Sequence, residues 1–381
     1  MDKNKFNLKK KIFGRNFWFC SPPEYEGLLS ESLALYDEAT DPTPDVILDF
    51  SARGNQKAII SRNPKLMTRY EKGFSADFGV CSVEWDAINS SPLRVNIQLR
   101  KIDYRSVLRR LRRLLSMEYS TEVERFEQIL YELILVPTVY FLPGLALVHA
   151  ASVGTEKGCV LLTGTGGVGK SSALLSAAEN KEIAFISDDI AVIDEAGLVY
   201  ANFAWPKIYG YNCVGNNMQQ ELMKGRGVVD KLHFSIRNKL NPSRVRRKIR
   251  PDRLFKKYIA NGCPLKETLF LFRENVDGVQ LESMSRDVAV RMISEVMSAE
   301  YYVLHKYLNW EAYNALGTGR TPLITMDGTI RKWEEVLDKA LQTNIRKMAI
   351  PLQIPHNEYQ ERVGGIINEA IFEKSDSRYA S

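Results

Sequence analysis

Cysteine and histidine are scarce in this sequence of 381 residues, which contains five cysteines and four histidines. The cysteines are scattered, odd in number and include no C-x-x-C pair, so the sequence indicates neither a disulfide framework nor a zinc ribbon. Three of the histidines have no acidic or thiol neighbours at metal-ligand spacing, namely His233, His305 and His356. These absences favour reduced thiols and ordinary core or surface histidines.

The chain also lacks the marks of secretion and of disorder. Its basic N-terminus has no apolar segment followed by a small-residue cleavage site, so we predict no signal peptide and expect a cytoplasmic protein. With 45% hydrophobic and 26% charged residues, a wholly disordered chain is excluded. The net charge of +6 permits an anionic partner without requiring one.

One apolar stretch, residues 129–148, is about as long as a membrane-spanning helix. It contains Glu132, Pro137 and the pair Pro143-Gly144. Because these residues interrupt the stretch, a buried helix, a turn and a buried strand explain it better than a transmembrane span. We therefore expect no membrane partner.

The length is sufficient for two domains. We predict an irregular basic arm over residues 1–25 and an N-terminal accessory domain over residues 26–140. Runs with strand character at 45–50, 57–61, 76–80 and 93–99 predict that this accessory domain is α+β, rich in β-structure and antiparallel. Two helices are predicted at the end of this domain. The first covers residues 104–117 and has an apolar stripe, and the second begins at Thr121.

From about Gly144 the pattern changes to buried strands alternating with helices. This pattern predicts an α/β catalytic domain over residues 141–350, followed by a C-terminal extension over residues 351–381. Strands are expected at 146–148, 159–163, 183–186 and 268–272, and a hairpin at 191–200. Helices are expected at 171–178, 287–304 and 330–343.

A phosphate-binding loop lies between the predicted strand at 159–163 and the helix that follows. It matches the pattern G-x-x-x-x-G-K-[ST] in full, with Gly164, Thr165, Gly166, Gly167, Val168, Gly169, Lys170 and Ser171, and Ser172 follows it. Backbone N–H groups of such a loop point at phosphate oxygens. We expect Lys170 to reach the outer phosphates of ATP and Ser171 to ligate Mg²⁺. The sequence therefore predicts a nucleotide site.

Two acidic residues, Asp188 and Asp189, follow the next predicted strand. Carboxylates at strand ends of an α/β sheet lie in the crevice where ligands bind. One of them is suited to hold metal, while the other accepts a hydroxyl proton during phosphoryl transfer. A turn-capping role is the alternative for this pair. His149 ends the strand before the loop and is a third candidate, although an isolated histidine among apolar residues is often a core residue.

His149, the phosphate loop and the Asp pair together resemble the catalytic domain of HPr kinase/phosphorylase and its kinase-like relatives, which are distantly similar to phosphoenolpyruvate carboxykinases. The resemblance is clear over residues 145–200 and general over 200–345. It implies an α/β P-loop kinase domain that transfers the γ-phosphate of ATP to a hydroxyl. It also implies active-centre roles for His149, Lys170, Ser171 and Asp188, with Asp188 as base and Asp189 supporting the metal or His149. The related kinases commonly assemble, so a homo-oligomer is expected.

The sequence also departs from that family. True HPr kinases follow the Asp pair with a Glu-Ile-Arg-Gly segment, which supplies a magnesium ligand and an arginine. The nearest equivalent here is Pro206-Lys207-Ile208-Tyr209-Gly210, which has no acidic residue. Residues 1–140 do not resemble the usual N-terminal domain of the family. We therefore expect a divergent relative that does not act on HPr.

The acceptor stays open at this point: a protein or peptide serine, a small molecule or a nucleic-acid hydroxyl. Basic runs at 105–113 and 244–257 are either polyanion patches or solvated faces. Trp205, Tyr209 and Tyr211 are candidates for the acceptor pocket or for core packing.

Two other classes compete with the kinase. A nucleotide-dependent switch or assembly ATPase shares the loop, but we find no long apolar strand followed by acids between residues 200 and 345. A nucleic-acid-binding module with a vestigial nucleotide site is favoured only by the basic runs.

Overall fold

The structure, a computed structural model, describes residues 6–50, 58–64, 66–100, 121–213 and 218–372. Eight strands form its first sheet, in the spatial order β1-β2-β3-β8-β7-β6-β5-β4. Their ranges are β1 (Phe6–Ile12), β2 (Arg15–Ser21), β3 (Val46–Asp49), β4 (Ser61–Asn63), β5 (Met67–Arg69), β6 (Phe74–Asp77), β7 (Cys81–Asp86) and β8 (Leu93–Leu99).

The N-terminal segment is a β-hairpin, so the irregular structure predicted for it is wrong for residues 6–21. Phe17 and Phe19 are fully buried and alternate with half-buried residues along β2. Burial alternates along β1 as well, but its three consecutive lysines give no alternation of apolar and polar residues in the sequence. Lys9 packs its ammonium 4.1 Å from the centre of the Trp18 ring, which accommodates a charge on the exposed face.

The first sheet is mixed, so the prediction of an antiparallel domain is wrong. β3 pairs in parallel with both β2 and β8, whereas the other neighbours are antiparallel. The strands predicted at 45–50 and 93–99 are confirmed, and the alternation in β8 does bury one face. The strands predicted at 57–61 and 76–80 are displaced to β4 and β6.

The described residues contain eleven α-helices. They are α1 (Glu26–Ser32), α2 (Glu122–Gln128), α3 (Val136–Val139), α4 (Lys170–Ala177), α5 (Met218–Met223), α6 (Val228–Leu240), α7 (Pro251–Leu254), α8 (Arg286–Glu300), α9 (His305–Gly317), α10 (Met326–Ala340) and α11 (His356–Phe372). Thr121 caps α2 as predicted, because its hydroxyl accepts the Glu124 N–H at 3.2 Å. The helix predicted at 104–117 and the basic run 105–113 lie outside the described residues.

The apolar stretch 129–148 folds inside the protein. It forms a π-helical segment (Ile129–Leu135), then α3 and a turn, and ends in the buried strand β9 (Leu145–Val148). Among the described residues, no helix is both long and apolar enough to cross a membrane.

A second sheet holds the predicted catalytic motifs. Its main path runs β17-β12-β10-β11-β18-β14-β13-β9, and β20 joins β18 to β19. The further ranges are β10 (Ala150–Thr155), β11 (Gly158–Thr163), β12 (Ala184–Ser187), β13 (Ala191–Asp194), β14 (Leu198–Tyr200), β17 (Lys257–Tyr258), β18 (Cys263–Glu274), β19 (Gln280–Ser283) and β20 (Asn344–Pro351).

Strand direction in this sheet brings three chain segments to one edge. β10 is antiparallel to both β11 and β12, so β11 and β12 run in the same direction. Ala150 at the start of β10 pairs with Thr163 at the end of β11, and Ser152 pairs with Ser187 at the end of β12. The residues just beyond these ends, at positions 149, 164 and 188, are therefore neighbours.

One continuous apolar core extends from Ile12 to Ile371 and contacts both large sheets. Helix α11, in the predicted C-terminal extension, packs against the helix of the phosphate loop. The Ser176 hydroxyl donates to the carbonyl of Gln360 at 2.9 Å, and Val363 and Ile367 are fully buried. Residues 356–372 are therefore part of the fold around the loop. The domain boundaries themselves stay predictions.

A small lobe follows β14 and contains the pair of strands β15 (Lys207–Tyr209) and β16 (Arg246–Lys248). Its own apolar cluster is formed by residues of β15, α4, α5 and α6 together with Cys213 and with Val245 and Ile249, which flank β16. Most cations of the basic run 244–257 have partners inside the protein. The partners are Tyr209 for Arg246, Asp230 for Arg247, Glu127 for Lys248, Asp252 and Glu31 for Arg250, Glu221 for Arg253, and Glu182 for Lys257. The run therefore ties the lobe to the rest of the chain.

Replacing Lys248 by methionine is expected to destabilise the protein by about 3–5 kcal/mol. The Lys248 ammonium donates to Glu127 at 2.7 Å, and neither side chain is more than 5% exposed. Burial already raises the pKa of Glu127 against the opposing charge of Lys248. Without that charge the carboxylate is buried and unpaired. Chemical denaturation measures the change, Lys256→Met serves as an exposed control, and equal stability of both variants would contradict the prediction.

Candidate active site

The phosphate loop lies where β11 ends and α4 begins, as the motif predicts. Gly164, Gly167 and Gly169 have φ values of 146°, 83° and 116°, which side chains other than glycine rarely adopt. At Gly169 a Cβ atom would also meet the Tyr359 hydroxyl at 2.5 Å. The three glycines therefore allow a turn that residues with side chains would strain.

Lys170 is buried at the start of α4, and its side chain forms hydrogen bonds back to the loop. Its ammonium donates to the carbonyls of Gly164 at 2.7 Å and of Thr165 at 3.0 Å. Burial lowers the pKa of Lys170, although the nearby carboxylates oppose this. The positive charge is thus enclosed by the loop backbone, where an anionic oxygen is a favourable partner.

Asp188 lies directly beside the loop. The Ser171 hydroxyl donates to Asp188 Oδ1 at 3.3 Å. The carboxyl is 6% exposed, and burial together with the charge of Asp189 raises the pKa of Asp188 to about 6. A carboxyl with a pKa near neutrality is suited to accept a proton.

Asp189 is hydrogen-bonded to His149. His149 Nε2 lies 3.0 Å from Asp189 Oδ1, and Asp189 has a φ of 74°, a conformation that costs a non-glycine residue about 1–2 kcal/mol. Partial desolvation in the cleft favours the neutral acid. The His149 hydrogen bond and the Lys207 ammonium outweigh it, so the pKa of Asp189 is lowered. Asp189 is therefore an anion held against His149.

Lys207 was not predicted as a site residue. Its ammonium lies 2.8 Å from Glu132 and 3.8 Å from Asp189, and the two carboxylates raise the pKa of Lys207 against the effect of burial. Lys207 belongs to the segment that lacks the acidic residue of the HPr kinases. A cation at this position disfavours the metal binding that the sequence predicts for Asp189 together with Ser171.

Glu300 is the second residue that sequence reasoning missed. It ends α8, far along the chain, and its carboxylate accepts the Gly166 N–H at 2.5 Å. The other carboxylate oxygen lies 3.4 Å from His149 Nδ1. An anionic oxygen therefore already accepts a loop N–H group, which is the interaction expected of a phosphate. Nothing in the local pattern around Glu300 signals this contact.

Three further side chains support the loop from distant segments. Asn212 donates to the Ser172 hydroxyl at 2.9 Å, and the Tyr359 hydroxyl donates to the carbonyl of Gly169 at 2.9 Å. Arg273 Nε donates to the carbonyl of Val168 at 3.2 Å, and its guanidinium lies 5.0 Å from the centre of the Tyr359 ring. Arg273 is thus an arginine at the loop that the sequence could not single out.

Strand β18, which pairs with β11, is the strand to compare with the one that the competing ATPase class requires. β18 is long, pairs in parallel with β11 and ends in Arg273 and Glu274. This end carries a single acidic residue, whereas the competing class requires an acidic pair after a long apolar strand. Glu274 pairs with Lys347 at 2.8 Å, and it is Arg273 that contacts the loop.

The aromatic residues after the Asp pair divide between two roles. The rings of Tyr209 and Tyr211 stack with centroids 5.5 Å apart. Burial, Tyr209 and then the charge of Asp188 raise the pKa of Tyr211. Trp205 contributes its backbone N–H to the buried Glu127 at 2.7 Å. Trp205 therefore has a structural contact, and Tyr209 and Tyr211 stay candidates for the acceptor pocket.

The residues present are compatible with Mg²⁺. Within the described ranges no group of three or more His, Cys, Asp or Glu side chains is arranged to hold a metal ion. Magnesium in nucleotide sites usually keeps several waters and takes one or two protein oxygens together with phosphates. The Ser171 hydroxyl is one such oxygen beside the loop.

Replacing Asp188 by asparagine is expected to stabilise the nucleotide-free protein by about 1–3 kcal/mol at pH 7.5. The pKa of this carboxyl rises from 3.8 to about 6 on folding, so its ionised form opposes folding above pH 6. The gain should shrink as the pH falls through 6 towards 4, because the wild-type carboxyl then becomes neutral. Denaturation in EDTA at several pH values measures this, and a less stable variant at pH 7.5 would contradict it.

No protein-family model matches this chain, and no curated protein matches it. The functional assignment therefore rests on the geometry of the loop, the Asp pair and His149.

Proposed function

We propose that this chain is an ATP- and Mg²⁺-dependent kinase of the HPr kinase-like type that phosphorylates a hydroxyl group. One observation carries the proposal: Asp188, a buried carboxyl with a pKa of about 6, lies 3.3 Å from the serine of a phosphate loop. A proton acceptor next to bound phosphates is the arrangement that phosphoryl transfer to an alcohol requires.

In the proposed reaction, the acceptor oxygen forms a bond to the γ-phosphorus of ATP while the bond to the β–γ bridging oxygen breaks. The hydroxyl proton passes to Asp188, and ADP leaves. Lys170 and the loop N–H groups stabilise the phosphate charge, and Arg273 adds positive charge behind Val168. Bound Mg²⁺, for which Ser171 is the loop ligand, would neutralise phosphate charge.

His149 and Asp189 have a positioning role in this proposal. The His149 carbonyl accepts the Thr163 hydroxyl at 3.1 Å, which ties the histidine to the strand that precedes the loop. Its ring holds Asp189, and the charge of Asp189 contributes to the raised pKa of Asp188. The pair therefore tunes the base.

The proposed acceptor belongs to one of three classes: a peptide serine, a small polyol or amino acid, or a nucleic-acid hydroxyl. An anionic acceptor gains little support from the run 244–257, because Arg247 and Lys248 are buried in ion pairs. A cytoplasmic location is proposed from free cysteines, namely Cys20, Cys81, Cys159, Cys213 and Cys263. A homo-oligomer rests on the family resemblance alone.

Transfer from γ-labelled ATP tests the proposal. Wild-type protein is incubated with Mg²⁺ and separate acceptor pools of peptides, polyols and nucleic acids. Label entering one pool identifies both a kinase and its acceptor class. Release of free phosphate with every pool, at the same rate as without acceptor, would support the nucleotide-dependent switch or ATPase instead.

Replacing Glu300 by glutamine is expected to tighten nucleotide binding about tenfold. The carboxylate competes with phosphate for the Gly166 N–H and adds negative charge beside the loop. Removing one charge-assisted contact of this kind is worth roughly 1.5 kcal/mol, which corresponds to about a factor of ten. Titration with a fluorescent ATP analogue measures the affinity.

Glu295→Gln is the matched control, because Glu295 lies on the same helix and is exposed. It should bind nucleotide like the wild type. Weaker binding in Glu300→Gln would show that the carboxylate assists the nucleotide, and would contradict the prediction.

A further inference from the structure

A cavity of about 820 Å³ lies away from the phosphate loop, between the first sheet, the turn after α3 and the N-terminal half of α10. Its volume is within the range of small-molecule sites. The apolar part of its wall comes from three separate segments of chain, including Ile88, Leu93, Phe141, Leu142, Leu323 and Ile324. No role in the proposed reaction involves this cavity.

Two cations line the cavity. Arg15 Nη2 donates to the carbonyl of Pro143 at 2.9 Å, and the Lys332 ammonium donates to the carbonyls of Tyr140 and Leu142. Neither has a carboxylate partner among the residues that the structure describes. Both charges are therefore directed only at carbonyl groups.

The wall holds one carboxylate against these two cations. Asp45 is the carboxylate of the lining, and its Oδ2 accepts the backbone N–H of Asn16 at 2.8 Å. Burial and the charge of Arg15 lower the pKa of Lys332 to about 8. The ammonium is thus held in surroundings that penalise its charge, and a bound anion would relieve that penalty.

We propose that this cavity binds a small organic anion that has an apolar body, such as a carboxylate or a phosphate monoester. The anionic group would contact Arg15 and Lys332, and the body would contact the apolar wall. Serine and threonine hydroxyls at the rim, including Ser90, Ser91 and Thr325, add hydrogen-bonding groups. The site is separate from the phosphate loop and does not depend on the proposed kinase activity.

Calorimetric titration of the full chain without nucleotide tests the proposal, with octanoate, phenyl phosphate and the neutral octanamide as probes. We expect at least one of the two anions to bind with a Kd below about 1 mM, and octanamide to bind at least about tenfold more weakly than octanoate. Which anion binds more tightly distinguishes a carboxylate site from a phosphate site. Absence of binding by both anions, or equal binding of octanoate and octanamide, would overturn the proposal.

Three variants locate the binding. Arg15→Gln and Lys332→Gln remove one charge each and should weaken the anion about tenfold or more. Ser90→Trp should obstruct the exposed rim of the cavity while leaving both cations in place, so it tests the site even if Lys332→Gln fails to fold. Lys339→Gln is the control, because this lysine lies on the same helix but pairs with Glu195 outside the cavity. Wild-type affinity in all three variants would overturn the assignment.

Discussion

Replacing Asp188 by asparagine is expected to reduce label transfer from ATP by a factor of about 10² to 10⁴, with nucleotide affinity changed little. The amide cannot accept the acceptor proton, whereas it keeps the size of the carboxyl and a contact to Ser171. Transfer is measured in the acceptor pool that the wild type labels, and affinity is measured separately with a fluorescent ATP analogue. The loss should therefore be in kcat.

Asp277→Asn is the matched control, because this carboxylate is exposed in the turn between β18 and β19. It should transfer label at the wild-type rate. If Asp188→Asn transfers or hydrolyses ATP as fast as the wild type, Asp188 is not the base and the switch or ATPase class becomes the better explanation. The stability gain expected of the same variant separates this result from a failure to fold.

The pH dependence of the wild-type transfer rate should show the ionisation of Asp188. Asp188 acts as a base only when ionised, so the rate should fall as the pH drops below about 6. The charge of Asp189 contributes to the raised pKa, so Asp189→Asn should move this acid limb to lower pH. A profile without an acid limb would argue against Asp188.

Replacing Lys170 by methionine is expected to weaken nucleotide binding by about 10- to 100-fold and to bring transfer to background. A hydrogen bond to a charged group is worth about 1.5–3 kcal/mol, which corresponds to that range of affinity. Methionine keeps most of the buried volume of the side chain, whereas the charge enclosed by the carbonyls of Gly164 and Thr165 is lost. Equilibrium titration with the ATP analogue measures the change.

Lys181→Met provides the comparison, since Lys181 is exposed just beyond the same helix. It should bind and transfer like the wild type. Unchanged affinity in Lys170→Met would show that the loop is not the nucleotide site, and the proposed function would then fail. Binding of octanoate or phenyl phosphate in the Arg15 cavity is expected to survive this substitution, so the two proposals can fail independently.

Local sequence patterns are sufficient to predict the secondary-structure elements of the site. The glycine-rich loop, the strand before it and the helix after it depend on a glycine pattern and on short apolar runs, and the structure contains this strand, turn and helix. The hairpin at 191–200 and the helices near 287–304 and 330–343 also follow from local periodicity. The Asp pair was recognisable because it follows a buried strand.

The distant residues that surround this loop are brought there by the fold of the whole chain. Glu300, Arg273 and Tyr359 contact it from segments more than a hundred residues away, and no periodicity encodes such pairings. The N-terminal hairpin is another example. The lysines of β1 interrupt the alternation of apolar and polar residues in the sequence, whereas the fold buries Phe17 and Phe19 of β2 on one face. Hydrophobic pattern is local, whereas strand order and ion pairing depend on the whole folded chain. The sequence therefore identified the phosphate loop and the adjacent acids, and the fold determined the charges and contacts around them.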